Sequence, residues 1–511
     1  MTALPLLSLV VFTPWLGAFV LAALPRLSAN AARHTALAFS FSTLVFALVL
    51  VAAFDPYAGL QFTEHHAWIP SLHVAYHLGL DGMSLLLVLL TGIVSPTALL
   101  ASRDEPRDVR LFGSLFLFLQ GAALGVFLAL DFFHWFLFWE LSLVPAFFLI
   151  KLWGGGSTPR GRAAASRAAY QFFIYTIGGS VFLLAGFAAL STAAGTFDFI
   201  QLAALRADGT LAVQLGGTWN SVIFAGIFLG LAVKVPLFPF HTWLPSAYAE
   251  APTGASMFLT GVMSKMGLYG FLRILWPLFP DELHTFATPL LWLALGGVVL
   301  GAFAALRQTD LKRMIAYSSV NHLSYCLLAL FAVAAAASPA NEAATVSALS
   351  GTLLQMFNHG LSATALFFCI GVLETRNAGL RGLNDFGGVR TAMPIFAGLC
   401  GIALFSSLGL PGLNGFVGEF LIFRGVFGLA PWAAALALLG LFATTLFLLT
   451  FWQRVFHGPQ RGAVATFTDL SKQEIAVLIP ATGLMFGLGI MPQLLVGLFN
   501  PLITQWVASL P

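Results

Sequence analysis

Apolar residues run through this chain in blocks of roughly 20, the length at which a helix crosses a bilayer. The blocks fall near residues 4–25, 35–54, 78–101, 111–130, 132–153, 170–195, 220–248, 253–275, 284–306, 312–336, 346–373, 392–428, 431–453 and 473–498. Short segments rich in Gly, Pro and Ser separate them and leave no room for a long soluble domain. The pattern predicts an all-α integral membrane protein of about 14 transmembrane helices. Two blocks are interrupted. The seventh holds Pro236, Pro239 and Pro245 in LAVKVPLFPFHTWLPSAYAE, and the twelfth holds Pro411 among glycines in LFSSLGLPGLNGFVGEF. Proline removes a backbone donor and crowds the preceding turn. Carbonyls freed at membrane depth must face protein or trapped water, so each break predicts a hydrated cavity of the kind transporters use.

The polar punctuation is periodic too. Basic residues gather after the odd-numbered blocks: Arg26 and Arg33; Arg103, Arg107 and Arg110; Lys151, Arg160, Arg162 and Arg167; Arg307, Lys312 and Arg313; Arg376, Arg381 and Arg390; Arg454, Arg461 and Lys472. These account for most of the 23 basic residues. Basic loops face the cytoplasm, which predicts a multi-pass protein with both termini on the outer side of its membrane. Hydrophobic residues make up 59% and charged residues 8%, against about 25% charged in soluble domains, so lipid is the only solvent that fits. The first apolar run has no basic residue before it, which argues for a retained span rather than a cleaved signal. Cys326, Cys369 and Cys400 form no CxxC pair, which argues against iron–sulfur or zinc ligation; the expected metal ligands are none.

Against this background the charges inside blocks stand out: Glu140 in FWELSLVPAFF, Lys234 in LAVKVPLFPFH, Lys265 in GVMSKMGLYG and Glu419 in GLNGFVGEFLIF. A charged side chain at the bilayer centre costs about 2.5 kcal/mol or more, so each is a functional candidate. Lys234 and Glu419 flank the two breaks. Amines suit proton handling, because a carboxylate drawn close holds the proton on a buried amine and its withdrawal lets the proton go. His322 in SSVNHLSYC and His359 in QMFNHGLSAT lie within apolar helices beside Ser and Asn, and offer stepping stones between the charges. His241 is a further relay candidate. His134 reads as an interface residue, Asp81 as a helix start, and Arg273 and Asp310 as boundary residues or ion-pair partners. The structural alternative for the charged set is a group of ion pairs that only hold helices together.

With these residues in view, the chain resembles the subunit M family of the proton-pumping NADH-quinone oxidoreductase, respiratory complex I, whose mitochondrial counterpart is NADH dehydrogenase subunit four. The resemblance is carried by DGMSLLLVLLTG, FWELSLVPAFFLIKLWGG, VKVPLFPFHTWLPSAYAEAPTGAS, SKMGLYGFLRI, DLKRMIAYSSVNHLSY, QMFNHGLSATALFFCIG, GLPGLNGFVGEFLIF and DLSKQEIAVLIPATGLMFGLGIMP. It implies an antiporter-like fold with two inverted five-helix repeats and broken seventh and twelfth helices. The expected organisation is a three-helix segment over 1–110, a first repeat over 111–275, an inverted second repeat over 284–456, and a final helix over 473–511.

The resemblance also implies roles. Glu140 matches the essential carboxylate of the fifth helix, Lys234 and Lys265 the lysines of the seventh and eighth, and His322 and His359 central-axis histidines. Glu419 matches the acidic residue of the twelfth helix, where the sister subunits L and N carry lysine. The chain is also expected to lack the lateral helix of subunit L. Two departures are Asn321, where a small residue is commoner, and MPQLLVGLFNP, without an acidic residue that many relatives place after its proline. The implied function is proton translocation coupled to quinone reduction elsewhere in the complex. NADH, FMN, iron–sulfur clusters and quinone would sit on partner subunits, with none on this chain, and the antiporter-like L and N subunits would be neighbours. No nucleic-acid partner is expected. A multisubunit cation/proton antiporter subunit and a hydrogenase-linked membrane complex are the alternatives.

Overall fold

The computed structural model describes residues 4–103, 107–156, 158–336 and 341–508. The chain begins with α1 (Leu6–Ala23) and α2 (Ala29–Ala53), then strands β1 (Gln61–Ile69) and β2 (Val74–Leu80). Next come α3 (Gly82–Ala101), α4 (Val109–Leu128), α5 (Phe132–Trp153), α6 (Pro159–Ala194) and the short α7 (Phe199–Ala207). The seventh block is α8 (Thr210–Lys234), a non-helical stretch, and α9 (Leu244–Glu250). The eighth is a helix built from α10 (Thr253–Phe258), α11 (Ser264–Gly270) and α12 (Trp276–Leu278), joined by π turns at Leu259–Met263 and Phe271–Leu275. Then follow α13 (Pro280–Thr285), α14 (Ala287–Leu306), α15 (Leu311–Ala335), α16 (Glu342–Arg376) and α17 (Val389–Ala392). The twelfth block splits into α18 (Pro394–Ser407) and α19 (Asn414–Leu429), and α20 (Pro431–Phe456) completes the thirteenth. The last block is two helices, α21 (Lys472–Ile490) and α22 (Gln493–Ala508), which meet at Met491 and Pro492.

Among the described residues, twelve helices are long and apolar enough to cross a membrane. Helices α1, α2, α6 and α20 turn Phe19, Phe41, Val181, Phe182, Leu439 and Phe442 outward. Helices α15 and α16 are buried on all sides, yet carry Ser319, Asn321, His322, Gln355, Asn358 and His359. This inverts the pattern of a soluble bundle. In lipid, polar side chains gain by facing one another, so the most polar helices take the centre.

The hairpin was not legible in the hydropathy, which left residues 55–77 as a connection. Bulges between Gln61 and Glu64 and between Ala67 and Ile69 break the alternation that would mark its strands. Its acceptors serve neighbouring helices. Glu64 accepts from the Leu7 and Ser8 backbone N–H groups at 2.8 and 3.2 Å, and so satisfies first-turn donors of α1. Asp131, the cap of α5, accepts from Ala75 of β2 at 3.0 Å. Asp198, the cap of α7, meets His77 Nδ1 at 2.5 Å. Burial pushes the Asp198 carboxyl up, but hydrogen bonds from His77 and from the Gln201 and Ile200 N–H groups outweigh it and hold the group below the usual range.

Loops from alternate connections meet at opposite ends of the bundle. Arg381 pairs with Glu250 at 3.0 Å, Asp310 at 2.7 Å and Glu374 at 3.2 Å, which joins the connections after the seventh, ninth and eleventh blocks. At the other end Asp81 caps α3 through Ser84 N–H (3.0 Å) and pairs with Arg273 (2.6 Å), itself bonded to Tyr269. Asp81, Arg273 and Asp310 are thus the boundary residues and ion-pair partners that the sequence suggests. Arg273→Leu should leave Asp81 buried without a counter-charge, at a cost of about 3–5 kcal/mol. A lowered unfolding midpoint in detergent, largely restored by Arg273→Lys, is the expected result; an unchanged midpoint would show the pair to be dispensable.

Candidate functional site

The site begins at the first break. Helix α8 ends at Lys234 because Pro236 offers no N–H to continue the ladder. One freed carbonyl, that of Val233, accepts from the Trp243 indole at 3.0 Å, so the break satisfies itself within the protein. The Lys234 ammonium is buried and lies 4.9 Å from the centre of the Trp139 ring, a cation–π contact. Glu140 follows Trp139 on α5. Among the described residues Glu140 and Lys234 form no ion pair within 4.0 Å. Glu140 is half-buried, on the stripe of α5 that also exposes Leu137 and Val144.

The eighth block packs directly on this break. A Cβ on Gly267 would come within 2.5 Å of Val235 Cγ2 and 3.3 Å of the Lys234 carbonyl carbon. Two residues earlier, Lys265 is fully buried. The π turn before it widens the helix, and the Lys265 ammonium donates to the Thr260 carbonyl at 2.6 Å and to Ser264 Oγ at 3.2 Å. Tyr248 on α9 donates to Leu259 in the same turn at 2.9 Å, a hydroxyl between the break and Lys265.

From Lys265 a row of titratable groups runs to the second break. Its Nζ lies 2.8 Å from His359 Nδ1 on α16. The His359 and His322 rings have centroids 5.5 Å apart. His322 Nδ1, on α15, lies 3.0 Å from Glu419 Oε1 on α19, and Gln355 Nε2 donates to the same oxygen at 3.2 Å. The second break builds the far wall. Asn414 and Asn358 clasp each other across α19 and α16, with Asn358 donating to the Asn414 carbonyl at 2.6 Å and Asn414 to Asn358 Oδ1 at 3.1 Å. Gly409, at φ +80°, turns the chain beside Glu419, where a Cβ would lie 3.1 Å from Oε2.

Four of the six expected residues, Lys265, His359, His322 and Glu419, therefore form one close-set series, joined by polar contacts at its two ends and by ring packing between the histidines, while Lys234 and Glu140 lie together across the Gly267 contact. His241 is outside the series, half-buried against Phe238 and Tyr317. His134 is buried in the first turn of α5, with Tyr76 and Phe138 against its ring. Asn321 has a structural role: it donates to the Val298 carbonyl at 2.6 Å and accepts from Thr444 at 3.2 Å, linking α14, α15 and α20. Sequence reasoning missed Trp139, Tyr248, Thr260 and Gln355. Each lies in or beside a quoted motif, but its role depends on a partner from another helix.

A family model described as "NADH:quinone oxidoreductase/Mrp antiporter, TM" matches residues 129–446, which include all six groups. The fold is also that of a chain in the Mrp complex from Dietzia sp. DQ12-45-1b, with a TM-score of 0.84 at 21% identity over 100% of this chain and 98% of that one. Fold and buried charges thus define an antiporter-like, multi-pass membrane subunit. "NADH-quinone oxidoreductase subunit M" of Rhodobacter capsulatus is 36% identical over 99% of this chain and 96% of its own length. A chain of "Respiratory complex I from Thermus thermophilus with bound NADH" superimposes with a TM-score of 0.85 at 27% identity, covering 99% of this chain and 100% of that one. The chain belongs to the subunit M family of NADH-quinone oxidoreductase and is a membrane part of such an oxidoreductase complex.

Proposed function

We propose that Glu140, Lys234, Lys265, His359, His322 and Glu419 carry protons through the middle of the membrane, driven by quinone reduction elsewhere in the assembly. The observation that carries this reading is the close-set series from Lys265 to Glu419, every member of which can give or take a proton. Glu140 gates its entry. When the carboxylate lies near Lys234 the ammonium keeps its proton, and when it withdraws the amine releases it toward Lys265. Conformational change in a neighbouring subunit thereby becomes proton movement. Tyr248 and Thr260 line the step between the two lysines.

In this reading residues 111–275 and 284–456 are inverted repeats, each with one broken helix, between the three-helix segment and the C-terminal helices. The basic connections face the cytoplasm of a bacterium and both termini face the periplasm. The L and N subunits flank this chain, and NADH, FMN, iron–sulfur clusters and quinone belong to partner subunits. The test uses inside-out membrane vesicles carrying the assembled complex. Lys234→Ala should collapse NADH-driven proton uptake while the complex still assembles. Unchanged uptake would leave the charges with a purely structural role.

A further inference from the structure

The hairpin brings together three metal-binding side chains that the proton series does not use. His65 and His77 are directly opposite on β1 and β2. Their rings sit 4.7 Å apart, centre to centre, at 85°. The third side chain, Asp198, arrives from the connection between α6 and α7. Its Oδ1 accepts from the Ile200 and Gln201 N–H groups at 2.9 and 3.0 Å, which fixes the carboxylate, and its Oδ2 points at His77 Nδ1. One nitrogen of each histidine and one Asp198 oxygen all lie within 4.8 Å of one another. Backbone bonds hold the frame: Phe132 N–H donates to Phe197 O and Phe199 N–H to Leu130 O, both at 2.8 Å, so the loop that carries Asp198 is laced to the start of α5. Asp198 is buried, His77 is partly covered and His65 is exposed, so the cluster opens to the surface on the His65 side.

We propose that His65, His77 and Asp198 form a site for a divalent transition cation of the zinc class. Two imidazoles and one carboxylate are a donor set suited to zinc and its neighbours. Calcium and magnesium call for six or more oxygen ligands or retained waters, which these residues do not supply. Zinc holds N and O donors at about 2.0–2.2 Å in a tetrahedron, which spaces them about 3.3 Å apart. Reaching that spacing brings donors now within 4.8 Å of one another closer together. The exposed His65 ring turns inward, and the His77–Asp198 contact opens from 2.5 Å. The proton on His77 Nδ1 moves to Nε2, so that Nδ1 offers its lone pair, and water fills the fourth position. The cation would then join β1, β2 and the α6–α7 connection, three segments otherwise held there by hydrogen bonds.

The test is a Zn²⁺ titration of the full-length chain in detergent against a chromophoric chelator. His65→Ala is the chosen variant, because an exposed strand residue leaves the His77–Asp198 bond and the fold intact; Asp198→Asn is the second. Wild type should bind one more Zn²⁺ per chain than His65→Ala, or bind it on the order of 10–100-fold more tightly. Co²⁺ should give visible ligand-field bands in wild type that both variants lose. Equal Zn²⁺ stoichiometry and affinity in wild type and His65→Ala, or Co²⁺ spectra identical in all three proteins, would overturn the proposal.

Discussion

Lys265→Met is expected to reduce NADH-driven proton uptake by on the order of 10²-fold, the lower range of what a positioned proton-transfer group contributes. Lys265 opens the series. Its ammonium reaches the Thr260 carbonyl and Ser264 on its own helix and His359 on α16. Methionine keeps the length and apolar stem of the side chain, so packing survives while the proton carrier is lost. Lys265→Arg sharpens the test. Guanidinium keeps the positive charge but does not deprotonate in proteins. If lysine serves only as a fixed charge, arginine restores uptake; if it passes protons, arginine fails as methionine does. The measurement is dye quenching in inside-out vesicles, beside NADH oxidation with a soluble electron acceptor to show that the redox arm is intact. Full uptake in Lys265→Met would remove the centre of the proposed path.

Glu140→Gln should lower uptake by about tenfold or more. Glutamine keeps the shape of the side chain and one acceptor oxygen, so what is removed is the negative charge beside Lys234. Lys234 rests on the face of Trp139, the residue next to Glu140 on α5. A double variant, Glu140→Gln with Lys234→Met, distinguishes a gate from two separate contributions. If the carboxylate works through the amine, the double variant is no worse than Lys234→Met alone. Strictly additive losses would assign Glu140 a role independent of Lys234. The half-buried position of Glu140, on a stripe with exposed Leu137 and Val144, suits a carboxylate that responds to an adjoining subunit.

The central helices show how function and packing share the same residues. Gly418 lets α19 approach α16 so closely that a Cβ there would come within 2.5 Å of Gln355 Oε1. Gln355 in turn holds Glu419, and the Asn358–Asn414 clasp ties the second break to α16 at the residue next to His359. The Asn358 and Asn414 amides satisfy each other, and the Gln355 Nε2 group is satisfied by Glu419, as the low dielectric of the interior favours. The series therefore lies in a frame of polar contacts rather than in hydrocarbon.

The sequence by itself determined the lipid environment, the position of nearly every helix, both breaks and the identity of the buried charges. Those features are local. A run of apolar residues, a proline in that run, or a lysine among leucines carries its energetic meaning wherever it stands, because bilayer thickness and the cost of burying charge are set by the solvent. Tertiary structure alone decided the order of the series: Lys265 against His359, His322 against Glu419, with Lys234 and Glu140 one contact away. These partners lie up to 97 residues apart, as with His322 and Glu419, and meet only because glycines such as Gly267 and Gly418 let particular helix faces close. The hairpin, the π turn before Lys265 and the supporting roles of Tyr248 and Gln355 belong to the same category. Each depends on which backbone group or side chain another segment brings opposite, and no local pattern of hydropathy encodes that.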